Sequence, residues 1–110
     1  MEATLTQNHT NTNRIAFRND VFRRRGLGFT VTRGIQGLPD CIGLIDAVRH
    51  FTKFAPEDDP HGEHDFGSLE WKGEKVFWKV DYYDQSLQYF EDPTSPRCRR
   101  VLTVMLADEY

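Results

Sequence analysis

The 110-residue chain reads as an α+β domain, with a mainly antiparallel four-stranded sheet and two helices packed on one face. Three observations predict it. Apolar residues recur at spacings of three and four across residues 39–53, the signature of an amphipathic helix. Residues 67–84, GSLEWKGEKVFWKVDYYD, alternate in polarity on both sides of a Lys72–Gly73 pair, as a hairpin does. Residues 99–106 are apolar on both alternating sets, which suits a strand covered on both faces.

The remaining elements follow in chain order. Residues 1–12 have no apolar pattern and are expected to form a flexible tail, so that residues 13–110 make the single α+β domain. A first helix is expected over residues 13–25, NRIAFRNDVFRRR, capped by Thr12 or Asn13 and stopped by Gly26. Ile15, Val21 and Phe22 supply its apolar stripe, and Arg23, Arg24 and Arg25 fall in the last turn, where positive charge complements the helix dipole. A short strand over about 28–33 points Phe29 and Val31 one way and Thr30 and Thr32 the other. GIQGLPD is a connector. In the second helix, Pro39 suits the first turn and Asp40 the favourable end of the dipole; Cys41, Ile42, Ile45, Val48 and Phe51 or Phe54 form the stripe. Within the hairpin, Val76, Trp78, Val80 and Tyr82 oppose Phe77, Lys79, Asp81 and Tyr83. Residues 84–98 carry Pro93 and Pro96 and read as a turn or short helix followed by loop. The strand over 99–106 is expected at the centre of the sheet, a helix there being the alternative.

Composition narrows the classes. Eight Phe, four Tyr and two Trp supply enough bulk for one core at this length. No apolar run approaches the roughly 20 residues of a membrane span, and MEATLTQNHTNTN lacks the basic and apolar blocks of a signal peptide. Two cysteines, Cys41 and Cys98, are too few for a disulfide scaffold and read as free thiols in a reducing cytoplasm. The net charge of −3 hides an asymmetry: residues 1–56 hold eight basic and four acidic residues, residues 57–110 six and thirteen. A basic side and an acidic side follow, which affects the approach of partners rather than the fold. Arg14, Arg18, Arg23, Arg24 and Arg25 suggest a nucleic-acid patch, but the acidic whole, with a pI near 5.7, argues against that partner.

The stretch DDPHGEHDFG at 58–67 concentrates chemistry-bearing groups. Imidazole and carboxylate suit zinc, iron or manganese. In an extended loop His61, Glu63 and Asp65 share one side and His64 takes the other. His61-x-Glu63 matches the start of a two-histidine-one-carboxylate iron site, yet no histidine follows His64. His61-Gly62-Glu63 also matches the first half of a zinc deaminase, but SPRCRR offers Cys98 alone where two thiolates are required. The DFG triplet at 65–67 has none of the other parts of a kinase. The structural alternative is a turn in which Asp58, Asp59 and Asp65 accept backbone amides, His61 or His64 pins a crossing, and Phe66 anchors the loop in the core.

Joined to VFWKVDYYD and RVLTVMLADEY, this loop resembles a small bacterial domain family of unknown function. Its core motif is Asp-Pro-His-Gly-Glu-His-Asp-Phe-Gly, here Asp59 to Gly67. The resemblance runs from about Ile15 to the C-terminus. It takes in Trp78, Lys79, Asp81, Tyr82, Tyr83 and Asp84, then Arg100, Leu102, Thr103, Met105, Leu106 and Tyr110. It implies no activity, cofactor or partner; it suggests that loop and hairpin act as one unit.

The expected role is a non-enzymatic binding or interaction module without a cofactor, its partner a protein or small molecule and not a membrane. Its contact residues are Asp59, His61, Glu63, His64, Asp65, Tyr82 and Tyr83. Trp71, Trp78, Tyr82 and Tyr83 read first as packing and second as an aromatic platform for a cation or peptide; Lys79 and Asp81 read as a solvated pair. The alternative role is a divalent-metal-dependent hydrolytic enzyme with the metal at His61, Glu63, His64 and Asp65.

Overall fold

The computed structural model describes the backbone of residues 2–110 and the side chains of residues 11–110. Its elements are α1 (Glu2–Arg25), β1 (Phe29–Val31), α2 (Arg33–Gln36), α3 (Cys41–Arg49), β2 (Phe66–Trp71), β3 (Glu74–Tyr83), β4 (Arg99–Leu106) and a terminal 3-10 turn, Ala107–Glu109. The class is α+β, with four strands in the order β1-β4-β3-β2.

The sheet is mixed, which corrects the expected pairing. β2–β3 and β3–β4 are antiparallel, but β1 runs parallel to β4, Thr30 facing Thr103. A three-residue strand carries no local mark of its direction; it is set by where the chain between β1 and β4 turns back. The helix count is also corrected, from two to three. The connector after β1 folds into α2, whose Ile35 is fully buried. Its single turn is too short to show a period in sequence.

Several elements fall where expected. β4 occupies residues 99–106 and is central. The hairpin closes at Lys72 and Gly73, both with positive φ (52° and 84°), the geometry of a two-residue turn that matches strand twist. Gly26 ends α1 at φ 68°, its amide donating to Arg23.

Others move. α1 begins at Glu2, not Asn13, so neither Thr12 nor Asn13 caps it. The expected tail over 1–12 lies mostly outside the described side chains. α3 stops at Arg49 and is capped by Asp40, which accepts the Gly43 amide, with Pro39 outside the helix. Its stripe turns toward Leu44 and Val48, both fully buried, leaving Ile42 86 % exposed and no part of the core. Phe51 and Phe54 lie beyond the helix yet still pack on the core.

The core lies between the sheet and the helices: Val76, Trp78 and Val80 of β3, Leu102 and Val104 of β4, with Ile35, Leu44 and Val48 from α2 and α3. Alternation puts Phe77, Lys79, Asp81 and Tyr83 on the opposite face, where Lys79 Nζ pairs with Asp81 Oδ2 at 2.9 Å. Phe66 joins that opposite face, against Phe77 and Tyr110 (ring centroids 5.2 and 5.7 Å), and does not anchor the loop in the core. β2 pairs Phe66 with Lys79, and the shared pleat decides the side. Glu109 ties the C-terminus to α2 by accepting from Thr32 Oγ1 (2.6 Å), the Gly34 amide (3.0 Å) and the Leu106 amide (2.8 Å).

Candidate functional site

The 58–67 loop sits where α1 crosses the start of β2, and its geometry comes from both. Asp59 directs it. Its side chain is 5 % exposed and Oδ1 accepts the amides of Glu63 (3.0 Å) and His64 (3.2 Å), an Asx-type turn that bends the chain back after Pro60. Asp58 accepts the Ser68 hydroxyl at 2.8 Å and fastens the loop to β2. His64 takes a positive φ of 58° and so turns away from the run of its neighbours.

That turn carries the His64 ring inward to α1. Nδ1 lies 3.0 and 3.1 Å from the two Asp20 oxygens, Nε2 lies 4.0 Å from Asp59 Oδ2, and the ring stacks on Phe54 at 4.0 Å and 4°. Both ring nitrogens therefore face carboxylates and one ring face is covered. His64 fixes a crossing, one of the roles its sequence allows.

α1 supplies three residues that the sequence reading did not single out as site residues. Asn19 is fully buried and satisfied on every side. Its Nδ2 donates to the Glu63 carbonyl (2.9 Å) and to Tyr82 Oη (2.8 Å), and its Oδ1 accepts from Arg100 Nε (2.6 Å). Asp20 holds His64 and accepts from Arg23 Nη2 at 3.1 Å. Arg23 is 1 % exposed, donates to the Phe51 carbonyl (2.9 Å), and lies over the rings of Phe54 and Trp78 at 5.4 and 5.1 Å. Its Nε and Nη1 have no hydrogen-bond partner among the described residues, and the two π faces take their place. Burial pulls the Arg23 pKa down from its ordinary value, while Asp20 opposes that shift.

The signal for these residues was periodic. Among the described residues, Ile15, Ala16, Asn19 and Arg23 are the buried positions of α1 and share one helical face, with Phe22 packed beside them. Two polar residues in an inward stripe mark a buried network; charge alone does not distinguish Arg23 from Arg24 and Arg25.

Glu63 and Asp65 are differently situated. Their carboxylates make no ion pair among the described residues, although Asp65 Oδ2 accepts from Tyr82 Oη at 3.2 Å. Burial, then mutual repulsion, raises the Glu63 pKa; burial raises that of Asp65, against the Tyr82 hydrogen bond. Tyr82, desolvated beside them, is also raised. Asp65 lines a hollow of about 370 Å³ with Asp81, Tyr82, Tyr83 and Phe90, and Phe90 is 74 % exposed. Tyr83 ends β3 opposite Arg99 and bridges to Phe90. His61 is exposed and makes no hydrogen bond among the described residues.

The seven expected contact residues thus divide. Asp59 and His64 turn inward as scaffold, Tyr82 straddles core and site, and Glu63, Asp65 and Tyr83 border open space with His61 outside them. The four expected metal residues do not converge: among the described residues, no group of three or more His, Cys, Asp or Glu is placed to hold a metal ion. No helix of the described residues is long and apolar enough to cross a membrane, and Cys41 and Cys98 are both free thiols.

The raised carboxyls have a consequence for stability. The folded chain holds these two protons more tightly than the unfolded chain does. Their contribution to stability is therefore intact below the unfolded range near about 4 and is lost as pH rises through the folded values. Asp65→Asn keeps an acceptor for Tyr82 and removes that loss. Its melting temperature is expected to exceed that of the parent at pH 7 and to match it near about pH 3.5, where both carboxyls are protonated in either state. A variant less stable than the parent at neutral pH would show that Asp65 carries a favourable charge instead.

Among known proteins, a family model described as "Protein of unknown function (DUF3768)" matches residues 31–109. No curated protein and no solved structure matches the chain. The matched segment contains the whole loop and hairpin and stops short of α1, which supplies Asn19, Asp20 and Arg23.

Proposed function

Because this chain belongs to the DUF3768 family, whose function is unknown, we propose its role from its own geometry: a non-enzymatic binding module that takes a cationic group of its partner beside the 58–67 loop. The observation that carries this reading is the pair of half-buried carboxylates, Glu63 and Asp65, left without a cation next to an aromatic hollow. A carboxylate held partly out of water without a counter-charge costs stability. A lysine or arginine side chain entering the hollow supplies the charge and stacks on Tyr83 or Phe90. The hydrogen bonds of Asp59, Asn19 and His64 fix the backbone behind these groups, so little ordering is left for binding to impose.

Within this reading the Asp59–Gly67 segment is the working motif of the family, and the chain is bacterial and cytoplasmic. The resemblance of the motif supports the first two, and the two free thiols the last. No metal enters the reading, since both nitrogens of His64 already face carboxylates.

The test uses a short peptide with one internal lysine and the same peptide with that lysine acetylated, titrated against the protein by calorimetry. The lysine peptide is expected to bind at least about tenfold more tightly, a difference of about 1.4 kcal/mol. Asp65→Asn and Tyr83→Ala should each remove most of that difference while leaving the melting temperature intact or higher. Equal affinity for both peptides, or none for either, removes the proposal.

A further inference from the structure

A second hollow lies on the basic side of the molecule, between α1 and the start of β4. It has a volume of about 400 Å³ and is lined by Phe17, Arg18, Phe22, Arg25, Arg99 and Arg100, among others. A neighbouring hollow of about 440 Å³ shares Phe17 and Arg18 and adds Arg14, so the Phe17 ring stands between two basic recesses. Phe17 is 68 % exposed, a large aromatic side chain held in water on a surface helix.

Four arginines line the first of these hollows, Arg18, Arg25, Arg99 and Arg100. Among the described residues none forms an ion pair with a carboxylate. Their hydrogen-bond acceptors are neutral: Arg18 donates to the Thr94 carbonyl (2.7 Å), Arg99 to that of Gln85 (3.1 Å), and Arg100 to the Pro93 carbonyl (2.8 Å) and the Asn19 amide oxygen (2.6 Å). Arg25 makes no side-chain hydrogen bond among the described residues. Like charges gathered this way repel one another. Burial lowers the Arg100 pKa, Cys98 and Tyr82 oppose that shift, and Arg18 adds the smallest push downward. The carboxylates of Glu91 and Asp92 lie within electrostatic reach of Cys98 at the rim, yet neither forms an ion pair with these arginines among the described residues.

We propose that this hollow binds a small organic anion with an apolar body, its carboxylate or phosphate head on the arginines and its body on Phe17 and Phe22. Guanidinium groups pair such heads through parallel hydrogen bonds. The volume suits a ligand of modest size, and apolar walls with a few charged groups are the usual makeup of such a site. The arginines gather in a recess beside one exposed aromatic ring instead of extending as a flat basic stripe, which favours a compact anion over a nucleic-acid backbone.

Decanoate, inorganic phosphate and decanol serve as probes, followed by amide shifts in a heteronuclear NMR correlation spectrum. Decanoate is expected to shift the amides of α1 and of residues 98–100, with a dissociation constant below about 1 mM. Phosphate, the head without the body, and decanol, the body without the head, should each bind at least about tenfold more weakly. Arg25→Gln and Phe17→Ser change exposed side chains, so the melting temperature should hold while decanoate affinity falls about tenfold in each. Decanoate binding unchanged in both variants overturns the proposal, as does decanol binding equally well. A hexaglutamate peptide that displaces decanoate at lower concentration would assign the recess to an acidic protein and overturn it too.

Discussion

Arg23→Ala is expected to lower the unfolding free energy by about 3–5 kcal/mol, the range for removing one partner of a buried ionic network. The guanidinium does three things at once. It packs against both the Phe54 and Trp78 rings, satisfies the Phe51 carbonyl just past α3, and neutralises Asp20, which in turn holds His64. Alanine leaves a cavity beside the largest buried side chain, an orphaned carbonyl and a carboxylate short of its cation. Lysine is expected to restore only part of the loss, because a compact ammonium lacks the planar group that packs against both rings while reaching both acceptors. Arg23→Met with Asp20→Asn isolates the cause. It keeps apolar volume, removes both charges, and should recover more than half of the loss. Urea titration followed by tryptophan fluorescence gives these numbers from the shift in midpoint. A loss under about 1 kcal/mol for Arg23→Ala would mean that the contacts with the two rings and Asp20 contribute little.

This arginine also marks how much was legible beforehand. Strand β4 fell on its expected residues because Val101 and Met105 on one face and Leu102, Val104 and Leu106 on the other leave a short segment few other homes. The hairpin was legible because Lys72–Gly73 interrupts two alternating runs, and Gly26 because a residue closing a helix needs a positive φ. Local chemistry decides such features. The parallel pairing of β1 with β4 and the single turn of α2 depend on where distant chain returns, and no residue within them announces it. The first half of α1 was missed because threonine and asparagine compete with the helix through their own hydrogen bonds. At the site, the loop was singled out for its residue types, and two of them, Glu63 and Asp65, carry carboxylates with no ion pair among the described residues. The inward turn of His64 could not be read, because it needs Asp20 and Phe54 from two other segments. An arginine triplet hides which member is buried; only the spacing from Ile15 through Asn19 picks out Arg23.

Gly67→Ala is expected to cost about 3 kcal/mol, through a mechanism that a conservative-looking change on a strand would not suggest. Gly67 pairs with Trp78 across β2 and β3, and a methyl group there would lie 2.5 Å from Trp78 Nε1 and 2.6 Å from Cε2. The indole is fully buried and cannot withdraw: Arg23 lies over its ring, and Phe51 and Phe54 meet it edge-on at 5.5 and 6.0 Å. The glycine therefore exists to admit the tryptophan. Displacing the ring also disturbs Arg23, and with it the support of the loop. The double variant Gly67→Ala, Trp78→Phe separates crowding from any intrinsic effect on the strand. Phenylalanine vacates the volume the methyl would enter, and it forfeits no hydrogen bond, since Trp78 Nε1 has no partner among the described residues. Trp78→Phe alone should cost about 1–3 kcal/mol for the lost packing, and the two changes together should cost clearly less than the sum of the singles, a coupling of about 1 kcal/mol or more. Strict additivity would mean that Gly67 is retained for backbone reasons alone and that the loop does not depend on the seating of the indole.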